Sequence, residues 1–346
     1  MSRVFIIAEA GVNHNGSVAQ ALRLIEAGQA SGAHAVKFQT FRADLLATGS
    51  APKAAYQKRT VGAAESQLEM LRKLELDAAA HKRLIERCRK LRVGFLSSPF
   101  DEASADLLVK LDVPIFKIPS GEITNLPLLR HIARFGRPII LSTGMSTLGE
   151  VEEAVTFLQA EKVPQLTLLH CVTEYPAPYA ETNLRAMLTL KSAFGLPVGY
   201  SDHTPGIEIA IAAVAMGAVV IEKHFTLDRR LPGPDHAASL EPDEFRNMVA
   251  AISNVEAAMG TGVKAPAPCE LHNMPVARKS VVAARALRKG HCLAAEDLCV
   301  KRPGSGLAPK FLPALVGRSL CADVNRDEVM TWNHLTTPCV VHGKNK

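Results

Sequence analysis

The chain has 346 residues, 47% of them hydrophobic and 21% charged, which suits about two folded domains and excludes general disorder. Its 40 Lys and Arg against 34 Asp and Glu leave a net charge of +6 with no long basic run. Aromatics are only 5% with one Trp, so a nucleic-acid stripe or a stacking platform for single strands is excluded.

The diffuse positive excess better suits a small anionic substrate focused in a cleft. Seven Cys at irregular spacings, with no CxxC pair, read as reduced thiols. Met1-Ser2-Arg3 runs straight into a strand-like segment, too short for a signal peptide, and no apolar run approaches the ~20 residues of a spanning helix. The expectation is a cytoplasmic protein with no nucleic-acid partner and no membrane partner.

In chain order, short apolar runs predict strands at Val4–Glu9, Ala35–Thr40, Gly94–Ser98, Ile115–Pro119, Pro138–Ser142, Leu166–Val172, Pro197–Ser201 and Ala218–His224. Between them the apolar spacing becomes helical, as in Val18, Ala21, Leu22, Ile25 and in Val151, Ala154, Val155, Leu158. Ser17, Asp101 and Thr147 are candidate N-caps, with Glu150 completing a capping box after Thr147. Eight strand-then-helix units point to the α/β class and a (β/α)8 TIM barrel over residues 1–262. A doubly wound open sheet is the alternative, weakened because no GxGxxG follows the first strand.

The segment from Phe41 to Leu68, which contains Tyr56, reads as a long lid loop. Residues 263–279 read as a linker, extended from Lys264 through Pro268 to about Pro275. Residues 280–340 read as a small, mostly β domain with strands at Ser280–Ala284, Leu298–Val300 and Ser319–Ala322. The tail after Thr337 is expected to fray.

Polar residues collect where these strands end. They are Glu9; Lys37, Gln39 and Thr40; Ser97 and Ser98; Lys117, Ser120 and Glu122; Ser142 and Thr143; His170, Cys171 and Tyr175; Ser201, Asp202 and His203; and Glu222, Lys223 and His224. In a barrel all eight carboxyl ends converge on one rim, where active sites sit. His203 and His224 end adjacent strands, with Asp202 and Asp235 as neighbours. They could share a divalent ion with open positions, or be two separately hydrogen-bonded imidazoles. There is no HxxxH or four-cysteine spacing for structural zinc.

Lys37 and Lys117 sit in apolar strands. With Ser98, Ser120, Ser142 and Thr143 they could cradle phosphate and carboxylate, serve as Schiff-base nucleophiles, or snorkel to water. Glu9 and Glu122 could move protons, orient hydroxyls or pair with the strand lysines. The rigid turn Pro232-Gly233-Pro234 places Asp235 or His236 near the rim. In the small domain Arg302 precedes a tight turn, where it could clamp an anion or simply be exposed.

Taken together, the segments IAEAGVNHNG, AVKFQTF, ESQLEMLRKLEL, SSPFD, FKIPSGEITN, PIILSTGMS, LLHCVTEYPAP, GYSDHTPG, EKHFTLDR and PGPDHAASLEPDEF resemble the N-acetylneuraminate (sialic acid) synthase family, which includes legionaminate and pseudaminate synthases. ARKSVVAARALRKG and VKRPGSG resemble its antifreeze-like (SAF, β-clip) domain. The resemblance runs from about residue 3 to residue 336.

It implies an enzyme that condenses phosphoenolpyruvate with an N-acetylated amino sugar to give a nine-carbon acid and phosphate. The sugar would be N-acetylmannosamine or a 2,4-diacetamido-trideoxy hexose. A divalent metal would assist, Mn2+ first, with Mg2+ or Co2+ as alternatives, on His203 and His224. Lys37, Ser98, Lys117, Ser120, Ser142 and Ser201 would hold phosphoenolpyruvate, with Glu9 and Asp235 lining the metal site. Gln39, Glu122 and Tyr175 would contact the open-chain sugar, and Thr173 stands where some members carry Asn at a phosphate contact. A domain-swapped homodimer is implied, with Arg302 reaching the acetamido group in the partner's site. TEYPAP leans toward sialate or legionaminate over pseudaminate. A Schiff-base aldolase and a non-enzymatic glycan-binding protein are the rival readings.

Overall fold

A parallel strand buried on both faces needs apolar side chains on both, and short Val-, Ile- and Leu-rich runs meet that need. The computed structural model describes residues 4–62 and 64–338. Eight such runs form β1 (Phe5–Gly11), β2 (Ala35–Thr40), β3 (Gly94–Pro99), β4 (Phe116–Ile118), β5 (Ile139–Ser142), β6 (Leu166–Cys171), β7 (Val198–Asp202) and β8 (Val220–His224). All laddered pairs are parallel, in the order β3-β2-β1-β8-β7-β6-β5-β4. β3 and β4 lie side by side without a hydrogen-bonded ladder, so the (β/α)8 barrel closes by packing at that seam.

Successive side chains of a strand point to opposite faces, and this alternation sorts the barrel. One set, including Ile6, Phe38, Phe116 and Tyr200, packs outward under the helices. The other points inward, where Ile7, Ala35, Leu96, Ile140, Leu169 and Val220 form an apolar plug. Two residues further along the same strands stand Glu9, Lys37, Ser98, Ser142, Cys171 and Glu222. Polar chemistry therefore begins one storey above the plug.

Capping follows the sequence. Ser17 accepts from the Gln20 N–H, Asp101 from Ser104, and Thr147 forms a capping box with Glu150. Each such cap contributes about 1 kcal/mol to its helix.

The lid segment departs from expectation. Phe41–Leu68 is no continuous loop, because helices occupy Ala43–Leu46 and Ala55–Val61 and a third begins at Gln67. A small apolar cluster anchors the segment, with Leu46 and Val61 packing against Val12, Phe41, Met70 and Leu74.

The chain divides into two compact units, Met1–Thr261 and Gly262–Lys346. In the second, β9 (Ser280–Ala283) pairs antiparallel with β10 (Leu298–Lys301), and β11 (Arg318–Leu320) with β12 (Leu335–Pro338). Asp297 pins this small unit from inside, accepting from Arg285 and from His291. One expectation fails here. The linker is not extended to Pro275, because a 3-10 turn at Pro268–Glu270 and a helical turn at Met274–Ala277 interrupt it. Of the tail expected to fray after Thr337, only Pro338 is described, as the end of β12 paired with β11; residues from 339 lie outside those described.

Candidate active site

The inward polar storey is tied together by charge. Lys37 Nζ stands 2.8 Å from Glu9 Oε2 and 3.6 Å from Glu222 Oε2, and it donates to Ser98 Oγ at 3.2 Å. Lys117 Nζ reaches Glu222 Oε1 at 3.2 Å, and Ser201 Oγ donates to the same oxygen at 2.9 Å. All of these side chains are buried.

Burial alone would push the Glu222 carboxyl up, but Lys117, Lys37 and the Ser201 hydroxyl outweigh it and hold the group down at about 2. Glu222 is therefore ionised. Burial also dominates at Glu9, and with the Glu222 charge it exceeds the pull of Lys37, so Glu9 rises to about 7. Burial pulls both amines down; for Lys37 the two carboxylates overcome it, whereas Lys117 stays below its ordinary value.

Beside this network the strand ends converge on a cluster of hydroxyls. Ser120 Oγ accepts from the Gly144 N–H at 2.9 Å and lies 3.1 Å from Cys171 Sγ. The hydroxyls of Ser142 and Thr173 are buried without a hydrogen-bond partner. A Cβ on Gly144 would come within 2.4 Å of Thr173 Oγ1 and 2.9 Å of Ser120 Oγ, so only glycine leaves this cradle open. Buried hydroxyls with no partner among the described residues are what a phosphate or carboxylate would satisfy.

Above the lysines stand the two histidines, with ring centroids 5.4 Å apart. His203 Nδ1 lies 2.6 Å from the Val172 carbonyl oxygen, so it carries the proton and Nε2 keeps its lone pair. The Ser201 hydroxyl, 3.3 Å from that Nε2, has one proton and gives it to Glu222. His224 Nδ1 is buried and unpartnered. Burial lowers His203 to about 4 and holds His224 well below its ordinary value, so both rings are neutral. Two neutral imidazoles with unused nitrogens fit a divalent ion that takes its remaining ligands from substrate or water. Among the described residues no group of three or more His, Cys, Asp or Glu side chains is placed to hold a metal ion, so the protein offers it two ligands here.

Around the histidines, Tyr175 packs its ring 4.2 Å from His203 and 5.2 Å from His224. Asp235 is buried and raised by that burial to about 6. Gly11, with φ +50°, keeps room where Glu9 Oε1, Gln39 Nε2 and Asp235 Oδ2 converge within 3.7 Å of its missing Cβ. Glu122 accepts from Asn125 Nδ2 at 2.7 Å, and partial burial raises its carboxyl. His236 turns instead to Thr226 and Asn15. Arg302 belongs to the second unit, where it is exposed and donates to the Ala277 carbonyl at 3.1 Å.

Sequence reasoning placed Glu222 at the rim but gave it no role, although it is the carboxylate both lysines share. Its neighbour Lys223 points outward into a fully buried pair with Asp202 at 2.7 Å, so neither Lys223 nor Asp202 serves the rim. The signal was alternation: His224 faces in, and Glu222 two residues earlier must do the same.

Comparison with known proteins agrees with this architecture. The NeuB family model matches residues 24–264, and the SAF domain model matches residues 278–336. The chain is 51% identical over 332 residues to an N,N'-diacetyllegionaminic acid synthase of Campylobacter jejuni, covering 95% of this chain and 99% of that one. It is 47% identical over 335 residues to the N,N'-diacetyllegionaminic acid synthase of Legionella pneumophila, covering 96% and 94%. Its structure resembles the N-acetylneuraminic acid (sialic acid) synthetase of Leptospira borgpetersenii solved with citrate, at TM-score 0.70 and 37% identity over 79% of this chain and 90% of that one.

Replacing Glu222 with Gln leaves two buried amines with only Glu9 to balance them. We expect Glu222→Gln to lose about 3 kcal/mol of stability in urea unfolding, the scale of breaking a buried ion pair. Added inorganic phosphate should restore more of that loss than it adds to the wild type. An unchanged midpoint would show that the lysines do not depend on this carboxylate.

Proposed function

The chain belongs to the NeuB family, and from that premise we propose that it condenses phosphoenolpyruvate with a 2,4-diacetamido-2,4,6-trideoxy hexose to give N,N'-diacetyllegionaminic acid and phosphate. The observation that carries the reading is the stacked site itself. Two buried amines around one carboxylate, flanked by unpaired hydroxyls, sit directly below two neutral imidazoles.

In this reading Lys37 and Lys117, with Ser98, Ser120, Ser142, Thr173 and Ser201, bind the phosphate and carboxylate of phosphoenolpyruvate. Oriented that way, C3 attacks the aldehyde carbon of the open-chain sugar, and positive charge develops at C2. Water adds at C2, and the tetrahedral intermediate expels phosphate with the bridging oxygen. Glu9, raised to about 7, can take the proton from that water at its carboxylate oxygen, whereas Glu222 is too acidic to do so. Gln39, Glu122 and Tyr175 would orient the sugar, and Asp235 would hold its place beside Glu9. A divalent metal, which we propose to be Mn2+ with Mg2+ or Co2+ as alternatives, would be held by His203 and His224 and would supply Lewis-acid polarisation of the aldehyde oxygen.

No described helix is long and apolar enough to cross a membrane. The described cysteines are unbridged, and together with a phosphoenolpyruvate substrate this supports a cytoplasmic location. Exchange of small domains in a homodimer is also part of the proposal and rests on the resemblance around Arg302.

The direct test is phosphate release from phosphoenolpyruvate against a panel of amino sugars. The trideoxy diacetamido sugar should be turned over with the highest kcat/KM, and N-acetylmannosamine more slowly. Chelation, His203→Ala or His224→Ala should each abolish release, and Mn2+ should restore the chelated enzyme. A preference for N-acetylmannosamine would make the enzyme a sialate synthase, and full turnover after verified metal removal would discard the Lewis-acid role. For the exchange, co-expressed His203→Ala and Arg302→Ala chains should recover activity in roughly a quarter of all sites, those left undamaged in mixed dimers. Verified mixed dimers with no gain would exclude it.

A further inference from the structure

Among the described residues of the lid, Tyr56 packs against the site residue Tyr175. Tyr56, on the helix Ala55–Val61, is half-buried with its ring centroid 5.0 Å from that of Tyr175. Tyr175 in turn lies against both His203 and His224. The Asp235 carboxylate is near enough to the Tyr56 phenol to join burial in keeping it protonated. A second interaction ties the same helix to the same loop, where Arg59 Nη2 meets Glu174 Oε1 at 3.1 Å. That pair is exposed on both sides, so it is screened and weak, and the rings make the main contact.

The arrangement is uneven in a useful way. On the floor everything is charged or hydroxylic, as phosphoenolpyruvate requires, whereas the side rising from the histidines is two aromatic rings. Among the described residues the Tyr56 hydroxyl has one long hydrogen bond, accepted from Gln57 Nε2 at 3.4 Å. A ring held there by packing offers a face more than a hydroxyl.

We infer that Tyr56 is a specificity-determining residue for the amino sugar, its ring extending that of Tyr175 into an apolar wall that packs on a methyl group of the substrate. The methyl belongs to an N-acyl substituent or to a deoxy carbon, which are chemically alike to an aromatic wall. This inference rests on the condensation proposed above.

The experiment measures KM separately for amino sugar and for phosphoenolpyruvate in wild type, Tyr56→Ala, Tyr56→Phe and Arg59→Ala. Tyr56→Ala should raise the sugar KM by about tenfold, the scale of removing one apolar group from a binding pocket, and leave the phosphoenolpyruvate KM unchanged. Tyr56→Phe should behave as wild type for both, because the ring and not the hydroxyl makes the wall. A rise confined to the trideoxy sugar assigns the C6 methyl or the 4-acetamido methyl, both of which N-acetylmannosamine lacks; an equal rise for N-acetylmannosamine assigns the 2-acetamido methyl. Thermal unfolding verifies each variant, and Tyr56→Leu replaces Tyr56→Ala if the latter does not fold. An unchanged sugar KM in Tyr56→Ala overturns the inference. So does an equal rise for both substrates, or the same sugar-specific rise in Arg59→Ala, either of which would make the segment a cover and not a wall. Wild-type enzyme that releases no phosphate overturns the reaction and this inference with it. Normal wild-type turnover with an indifferent Tyr56→Ala overturns this inference alone.

Discussion

A charged amine inside a protein needs a counter-charge or gives up its proton, and this barrel buries two of them within reach of one carboxylate. Glu222 meets Lys117 with one oxygen and Lys37 with the other, and Ser201 adds a hydrogen bond that helps keep it ionised. With Glu222 negative and Glu9 poised near neutrality, the storey retains positive charge available to a dianionic ligand. Ligand charge then completes a balance that the protein leaves open.

The histidines above obey the opposite rule. They are neutral because burial outweighs the nearby carboxylates, and one is locked into a single tautomer by a backbone carbonyl. Keeping imidazoles neutral over positively charged amines avoids repulsion between layers and leaves ring nitrogens free to act as ligands. A site with charge at the bottom, neutral nitrogen above and aromatic rings at the side can hold a phosphorylated acid and an uncharged sugar in separate places. Adjoining binding surfaces for the two let the attacking carbon of one face the aldehyde of the other, which is what a carbon–carbon condensation needs.

Much of this was legible in the sequence, and the parts that were not share physical reasons. The barrel strands were readable because each is a short apolar run, and their polar ends because a charged residue such as Lys37 stands out against Ala35, Val36 and Phe38. The role of Glu222 was hidden by its neighbours. In Glu222-Lys223-His224 every residue is ionisable, so composition cannot say which face inward; only the strand alternation, anchored by His224, separates Glu222 from Lys223. Asp202, between Ser201 and His203, was misread for the same reason. Helices of four and seven residues in the lid are too short to show a period. β12 exists through its pairing with distant β11, which its own residues do not announce.

The central claim is that the amines bind phosphoenolpyruvate while its C3 attacks and water adds at C2, with no covalent bond between lysine and substrate. Lys117, whose amine is held below its ordinary value, is the residue a Schiff-base mechanism would use instead. The most direct measurement places heavy oxygen in the bridge between C2 and phosphorus of phosphoenolpyruvate and follows it by mass spectrometry. The expected result is that the label leaves entirely with inorganic phosphate. Label retained at C2 of the nine-carbon product would mean that the phosphorus–oxygen bond breaks, and it would contradict the account.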